Sequence, residues 1–138
     1  MWRAPKNKGR EEVKFYVAGK FEDRARIKGL MKTITALGHE ITTDWTTHEI
    51  DSEDKLHEYA LEDVSGVRDC DYYVGVFIDN SYRYSGALVE LGVALGLDKG
   101  IVIIGHAIDS CIFIKLPFVG RFETIDEFVE CLKEDLTT

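Results

Sequence analysis

Two carboxylic acids stand where the residues around them are small and apolar. Glu90 lies in SYRYSGALVELGVALGL, from Ser81 to Leu97, and is the one acidic residue of that stretch. One helical turn to either side of it stand Gly86, Ala87, Val93 and Ala94, so a helix offers it neither a basic partner nor a polar strip. Asp63 falls between Tyr59, Ala60 and Val67, at the edge of an apolar stripe formed by Leu56, Ala60, Val64 and Val67. An unpaired buried carboxylate is costly, so each acid either meets a partner from a distant part of the chain or is kept for its reactivity. Two such acids in a low dielectric titrate apart, one ionised as a nucleophile and the other holding a proton to donate. That division of labour suits cleavage of a glycosidic bond, whose oxocarbenium-like transition state is stabilised by a carboxylate beneath the sugar. The competing role for each acid is structural, as a backbone cap or as the partner of an arginine such as Arg68 or Arg83.

An alternating pattern of strands and helices has to position these acids. VKFYVAG, from Val13 to Gly19, is a β-branched and aromatic run closed by glycine and predicts a buried strand. Glu22 to Leu37 follows as a helix, with Ile27, Leu30, Met31, Ile34 and Leu37 at helical spacing and Gly38 to end it. HEITTDW predicts the second strand, and a helix runs from about Asp54 to Arg68. DYYVGVFI is the third strand, DNS the turn, the Glu90 stretch the third helix and GIVIIG the fourth strand. A long loop from His106 to about Val119 leads to an extended piece near Arg121 to Glu123. The closing TIDEFVECL has Thr124 and Glu127 at capping-box spacing and a stripe of Ile125, Phe128, Val129 and Leu132.

Such alternation implies βαβ crossovers and a flavodoxin-like three-layer α/β sandwich, with five parallel strands in the order 2-1-3-4-5. Ligands in that arrangement sit beyond the carboxyl ends of strands one and three. Gly19, Lys20 and Phe21 from the first loop, Asp79 and Asn80 from the third, and the start of the Glu90 helix then surround one crevice. Ser85 and Gly86 open that helix, where they cap it or touch a ligand. In AGKFEDR, Lys20 and Arg24 beside a helix N-terminus could hold an anion, although no Walker or GxGxxG pattern is present and Gly19 also serves as simple turn geometry. Trp45 and Tyr84 each stand near the crevice mouth, where a flat ring could stack on a base.

The 138 residues fit one domain, expected over 13–138 after a basic, polar arm at 1–12. No run approaches the ~20 apolar residues of a membrane span, and the arm lacks the apolar centre of a signal peptide, so a soluble cytoplasmic protein is expected. Cys70, Cys111 and Cys131 are odd in number and form no CxxC pair, which points to reduced thiols. His39, His48, His57 and His106 show no zinc spacing, and neither a metal nor an organic cofactor is expected. A net charge of −8 repels the phosphates of nucleic-acid polymers and favours a small-molecule ligand.

Four blocks spread over nearly all of the chain, KFYVAGKF, GHEITTDW, ALEDVSGVRDCDYYVGVF and SGALVELGVALGLDKGIVI. Together they resemble the nucleoside 2-deoxyribosyltransferases and their relatives that hydrolyse deoxynucleoside 5′-monophosphates; the last two blocks are the specific ones. The resemblance implies that Glu90 attacks the anomeric carbon and carries a covalent glycosyl intermediate, that Asp63 serves the departing base as an acid, and that Tyr16 orients the glutamate. It implies further that Gly19 and Gly86 line the sugar or its 5′ substituent. It implies a homo-oligomer in which a neighbour's loop, here His106 to Val119 with Asp109 or Ser110, closes the pocket. Two positions depart from the family pattern. The residue six before the nucleophile is Tyr84, where the transferases have an aspartate on the 5′-hydroxyl and the hydrolases a serine on the phosphate. Lys20 stands where the hydrolases have a small hydroxyl residue, and could replace phosphate contacts by charge. Whether a base or water accepts the sugar stays open, and a TIR-like NAD-cleaving enzyme and a non-catalytic nucleotide sensor are the rival readings of the same plan.

Overall fold

Apolar and aromatic runs form the strands β1 (Lys14–Ala18), β3 (Tyr72–Val76), β4 (Gly100–Ile104) and β5 (Val119–Phe122) of a computed structural model that describes residues 13–49 and 53–137. A two-residue β2 (Glu40–Ile41) completes a parallel sheet of order β2-β1-β3-β4-β5. This is the flavodoxin-like α/β arrangement. Tyr16 lies opposite Tyr73 and Tyr73 opposite Ile101, so the three middle strands share one register. Helices α1 (Arg24–Ala36) and α4 (Ile125–Thr137) contact each other, as do α2 (Glu53–Asp69) and α3 (Ser85–Gly96), giving a helical pair on each side of the sheet. The three middle strands are buried along almost their whole length, as expected of parallel strands covered on both faces. No helix among the described residues is long and apolar enough to cross a membrane. The basic arm expected at 1–12 lies outside the described residues.

Three elements differ from their sequence expectation. The second strand is two residues long instead of seven, because its threonines turn to α2: Thr42 Oγ1 donates to the Gly66 carbonyl at 2.8 Å, and Thr43 Oγ1 to that of Glu62 at 3.4 Å. Trp45 then opens a 3₁₀ turn (Trp45–Thr47), in which the Asp44 carboxylate accepts from the Thr46 N–H at 3.1 Å. The third helix begins at Ser85, the residue expected to open it, so Ser81 to Tyr84 of the Glu90 stretch lie ahead of the helix. Asp79 accepts from the Ser81 N–H at 2.9 Å and hydroxyl at 2.7 Å, folding 79–82 into a turn, and Tyr84 takes a left-handed φ of 54° before the helix starts. At α4, Thr124 Oγ1 accepts from the Glu127 N–H at 3.1 Å as the capping box requires, but the Glu127 carboxylate accepts from Glu123 N–H, one residue earlier than the box predicts.

The apolar stripe of α2 also divides. Val67 is buried in the core, whereas Leu56 is 41% exposed and Ala60 is exposed. The first half of the helix presents Leu56, Tyr59 and Ala60 to a crevice.

Candidate active site

Tyr16 occupies the middle of β1, and its ring stacks at 6.4 Å on that of Tyr73 in β3. The Tyr73 hydroxyl donates to the Ala87 carbonyl at 2.7 Å and so ties α3 to the sheet. One turn beyond Ala87, Glu90 points back to β1, where its Oε2 accepts from the Tyr16 hydroxyl at 2.5 Å. On the other side α2 comes close enough to β1 to need glycine: a Cβ on Gly66 would lie 2.1 Å from Thr43 Oγ1 and 3.1 Å from Tyr16 Cδ1. That close approach sets Asp63, three residues earlier on α2, into the same crevice.

The crevice encloses about 280 Å³. Tyr16 and Glu90 line it with Asp63; Gly19 and Phe21 follow β1, Trp45 and His48 follow β2, Leu56, Tyr59 and Ala60 come from α2, and Gly86 and Ala87 open α3. Glu90 is held by a phenol hydroxyl, so the arginine partner considered for it is not its hydrogen-bond partner. Burial pushes the Glu90 carboxyl up to about 7, the charge of Asp63 adds to the rise, and the Tyr16 hydrogen bond opposes it. Burial likewise lifts Asp63 to about 6, with Glu62 raising it and His48 lowering it. Asp63 Oδ1 is buried and has no hydrogen-bond partner among the described residues, which agrees with the raised carboxyl. Burial and the two acids drive the Tyr16 hydroxyl far above its ordinary range, so it stays a donor to Glu90 at any working pH. Both acids are raised, Glu90 further than Asp63, so Asp63 ionises first as pH rises, and the arrangement with Glu90 ionised and Asp63 protonated is the minor form of the singly protonated pair.

Sequence reasoning missed His48 and Tyr59. The rings stack at 3.9 Å and 6°, His48 Nε2 lies 3.1 Å from Glu62 Oε2, and the Tyr59 hydroxyl accepts from the Glu49 N–H at 3.2 Å. Leu56, Tyr59, Ala60 and Asp63 share one helical face; that spacing was legible but reads equally as core. Trp45 is buried, with its Nε1–H donated to the Val17 carbonyl at 2.6 Å, and keeps an edge on the crevice.

Other expected residues lie elsewhere. Tyr84 is not an open stacking face: it is 1% exposed, it packs edge-on against Phe77 and Tyr82, and its hydroxyl accepts from the N–H groups of Ile78 and Asp79 at 3.2 and 2.9 Å. It is an internal post for the loop after β3. Lys20 Nζ lies 2.5 Å from Asp79 Oδ2, and this pair, with exposed Asn80 and Ser85, stands beside the crevice and not in its lining. Ser85 is the first residue of α3 and makes no side-chain cap. Asp109 accepts from Arg121 at 2.5 Å and meets His106 Nδ1 at 2.7 Å, while Ser110 is exposed; both are remote from the crevice lining of their own chain.

Neither a family model nor a curated protein matches the sequence. Solved structures match the fold. A 2-deoxyribosyltransferase from Bacillus psychrosaccharolyticus superposes with a TM-score of 0.67 at 19% identity, covering 85% of this chain and 90% of its own. A conserved protein from Enterococcus faecalis gives 0.64 at 17% identity over 91% of this chain and 100% of its own. The CMP N-glycosidase BcmB of Clostridium botulinum gives 0.59 at 16% identity, over 88% and 98%. The chain has the flavodoxin-like fold of these proteins along most of its length, and its half-buried pair of acids lies at the carboxyl end of β1 and β3, where such sheets hold their ligands.

Proposed function

We propose that the protein breaks the N-glycosidic bond of a (deoxy)nucleoside or nucleotide through a covalent glycosyl-enzyme on Glu90. The observation that carries this reading is the Tyr16–Glu90 hydrogen bond of 2.5 Å inside a crevice that Asp63 also lines. The fold shared with a 2-deoxyribosyltransferase and an N-glycosidase agrees with it. A Glu90 carboxylate oxygen attacks C1′, the C1′–N bond breaks with its electron pair on the base, and the proton of Asp63 passes to that base. Tyr16 fixes the attacking oxygen by donating to its neighbour on the same carboxylate. His48, Tyr59 and Trp45 bring flat rings to the Asp63 side, where a planar base fits. A second base, which returns its proton to Asp63, or water then opens the sugar ester; a free-nucleobase exchange assay separates transfer from hydrolysis. No step calls on a metal or organic cofactor.

The protein acts as a homo-oligomer in this reading. Ile112, Phe113 and Phe118 are 73%, 57% and 57% exposed in the loop between β4 and β5, a set of apolar side chains suited to a second copy that brings Asp109 or Ser110 towards the neighbouring crevice. The decisive test of the chemistry is mass spectrometry after incubation with 2′-fluoro-2′-deoxynucleosides and their 5′-monophosphates. A glycosyl adduct on the peptide containing Glu90 is expected. Its absence with every base removes the proposal.

A further inference from the structure

We propose that the Lys20–Asp79 ion pair makes the crevice select nucleosides with a free 5′-hydroxyl over nucleoside 5′-monophosphates, an inference that rests on the N-glycosidic reading of Glu90. With the base on the Asp63 side and C1′ at Glu90, the rest of the sugar extends towards Gly19 and Gly86, and Lys20 directly follows Gly19. Lys20 is the cation a phosphate would need there, and it is already engaged: Nζ sits 2.5 Å from Asp79 Oδ2, with the side chain 14% exposed. The other Asp79 oxygen accepts from the Ser81 N–H and hydroxyl at 2.9 and 2.7 Å, so the carboxylate is anchored at both ends. Lys20 and Ser81 together hold its carboxyl well below the usual range.

The lining of the crevice compounds the effect. Among the described residues it contains two acids, Glu90 and Asp63, and no lysine or arginine; its histidine, His48, already faces Glu62. A phosphate dianion entering there either meets like charge unaided or draws Lys20 away and leaves Asp79 without its counter-charge. A neutral hydroxymethyl group needs a hydrogen bond and no counter-charge, and the first-turn N–H groups of α3, without partners inside the helix, are donors of that kind. Tyr84 adds no phosphate contact, since it is 1% exposed and lies outside the crevice lining.

The test compares kcat/KM for the four common 2′-deoxynucleosides and for their 5′-monophosphates in wild type, in Asp79→Asn and in the double variant Lys20→Met/Asp79→Asn. Asparagine keeps an acceptor for Ser81 while freeing Lys20, and the ratio of the two substrate classes within one preparation cancels any loss of folded protein. Wild type is expected to favour nucleosides by at least about tenfold, and Asp79→Asn to shrink that ratio by about tenfold through a gain on monophosphates, as for one charged hydrogen bond. The double variant is expected to lose the gain. Wild type that favours monophosphates, or an Asp79→Asn ratio equal to wild type, overturns the selectivity alone. Turnover of neither class, with no adduct on Glu90, overturns the N-glycosidic reading and this inference with it.

Discussion

Burial raises the Glu90 carboxyl from 4.5 to about 7, so an ionised acid at this position costs the fold stability. The folded-state pKa lies above the unfolded one, so the folded protein holds the proton more tightly. The stabilisation from this group is complete below about pH 4.5 and disappears as pH rises through about 7. Replacing Glu90 by glutamine removes the charge and keeps an acceptor for the Tyr16 hydroxyl. Glu90→Gln is expected to unfold with a free energy about 2–3 kcal/mol above wild type at pH 8, an advantage that fades towards pH 4, while the glycosyl adduct is lost. Urea titrations at the two pH values measure it. Equal stabilities at pH 8 would mean that Glu90 is better solvated than its position implies. Asp63 follows the same sign over a lower range, its group moving from 3.8 to about 6.

At the scale of elements, the site depends on how closely α2 lies on β1. Gly66 is the point of contact, its carbonyl taking the Thr42 hydroxyl and its missing Cβ leaving room for Thr43 and Tyr16. Gly66→Ala has to push the helix outward against these neighbours, at an expected cost of about 1–3 kcal/mol, and carries Asp63 away from the crevice. Its loss of kcat is expected to exceed that of Gly92→Ala on α3, where a Cβ meets nothing within 4 Å and the helix gains up to about 1 kcal/mol from the better helix former. Thermal unfolding and turnover of the two variants side by side check this. A Gly66→Ala enzyme as active as wild type would show that the spacing of α2 from the sheet does not govern the chemistry.

Across the whole molecule, the loop between β4 and β5 is held from within and apolar without. His106 meets Asp109 and Glu123 through its two ring nitrogens at 2.7 and 2.8 Å, and Arg121 secures Asp109, while Ile112, Phe113 and Phe118 face outward. Both contacts of the imidazole are to acids, and its pKa is raised by Glu123 first and Asp109 next. A rigid loop with an apolar outer surface favours assembly, since its ordering cost is already met before a second copy docks. Light scattering on the eluting protein is expected to give a mass of at least two chains, and Phe113→Asp with Phe118→Asp to give one. A wild-type monomer at micromolar concentration would refute the oligomer.

The sequence by itself determined the fold class, because strand and helix periodicities repeat in a βαβ order that few topologies satisfy, and it singled out Glu90 and Asp63 because acids are conspicuous among glycines, alanines and valines. It did not determine where β2 ends, since Thr42 and Thr43 suit a strand until Gly66 and Glu62 of α2 compete for their hydroxyls. Nor could it separate the crevice-lining face of α2 from a core-facing one, or give Tyr84 its buried place, because apolar spacing is the same whether a side chain meets the core or lines a crevice. The pairing of Lys20 with Asp79, across 59 positions, was decided by tertiary structure alone, and that of Tyr16 with Glu90, across 74, was implied by the family resemblance and not by any spacing. Contacts of that range follow from strand order and packing depth, which leave no local trace in a sequence.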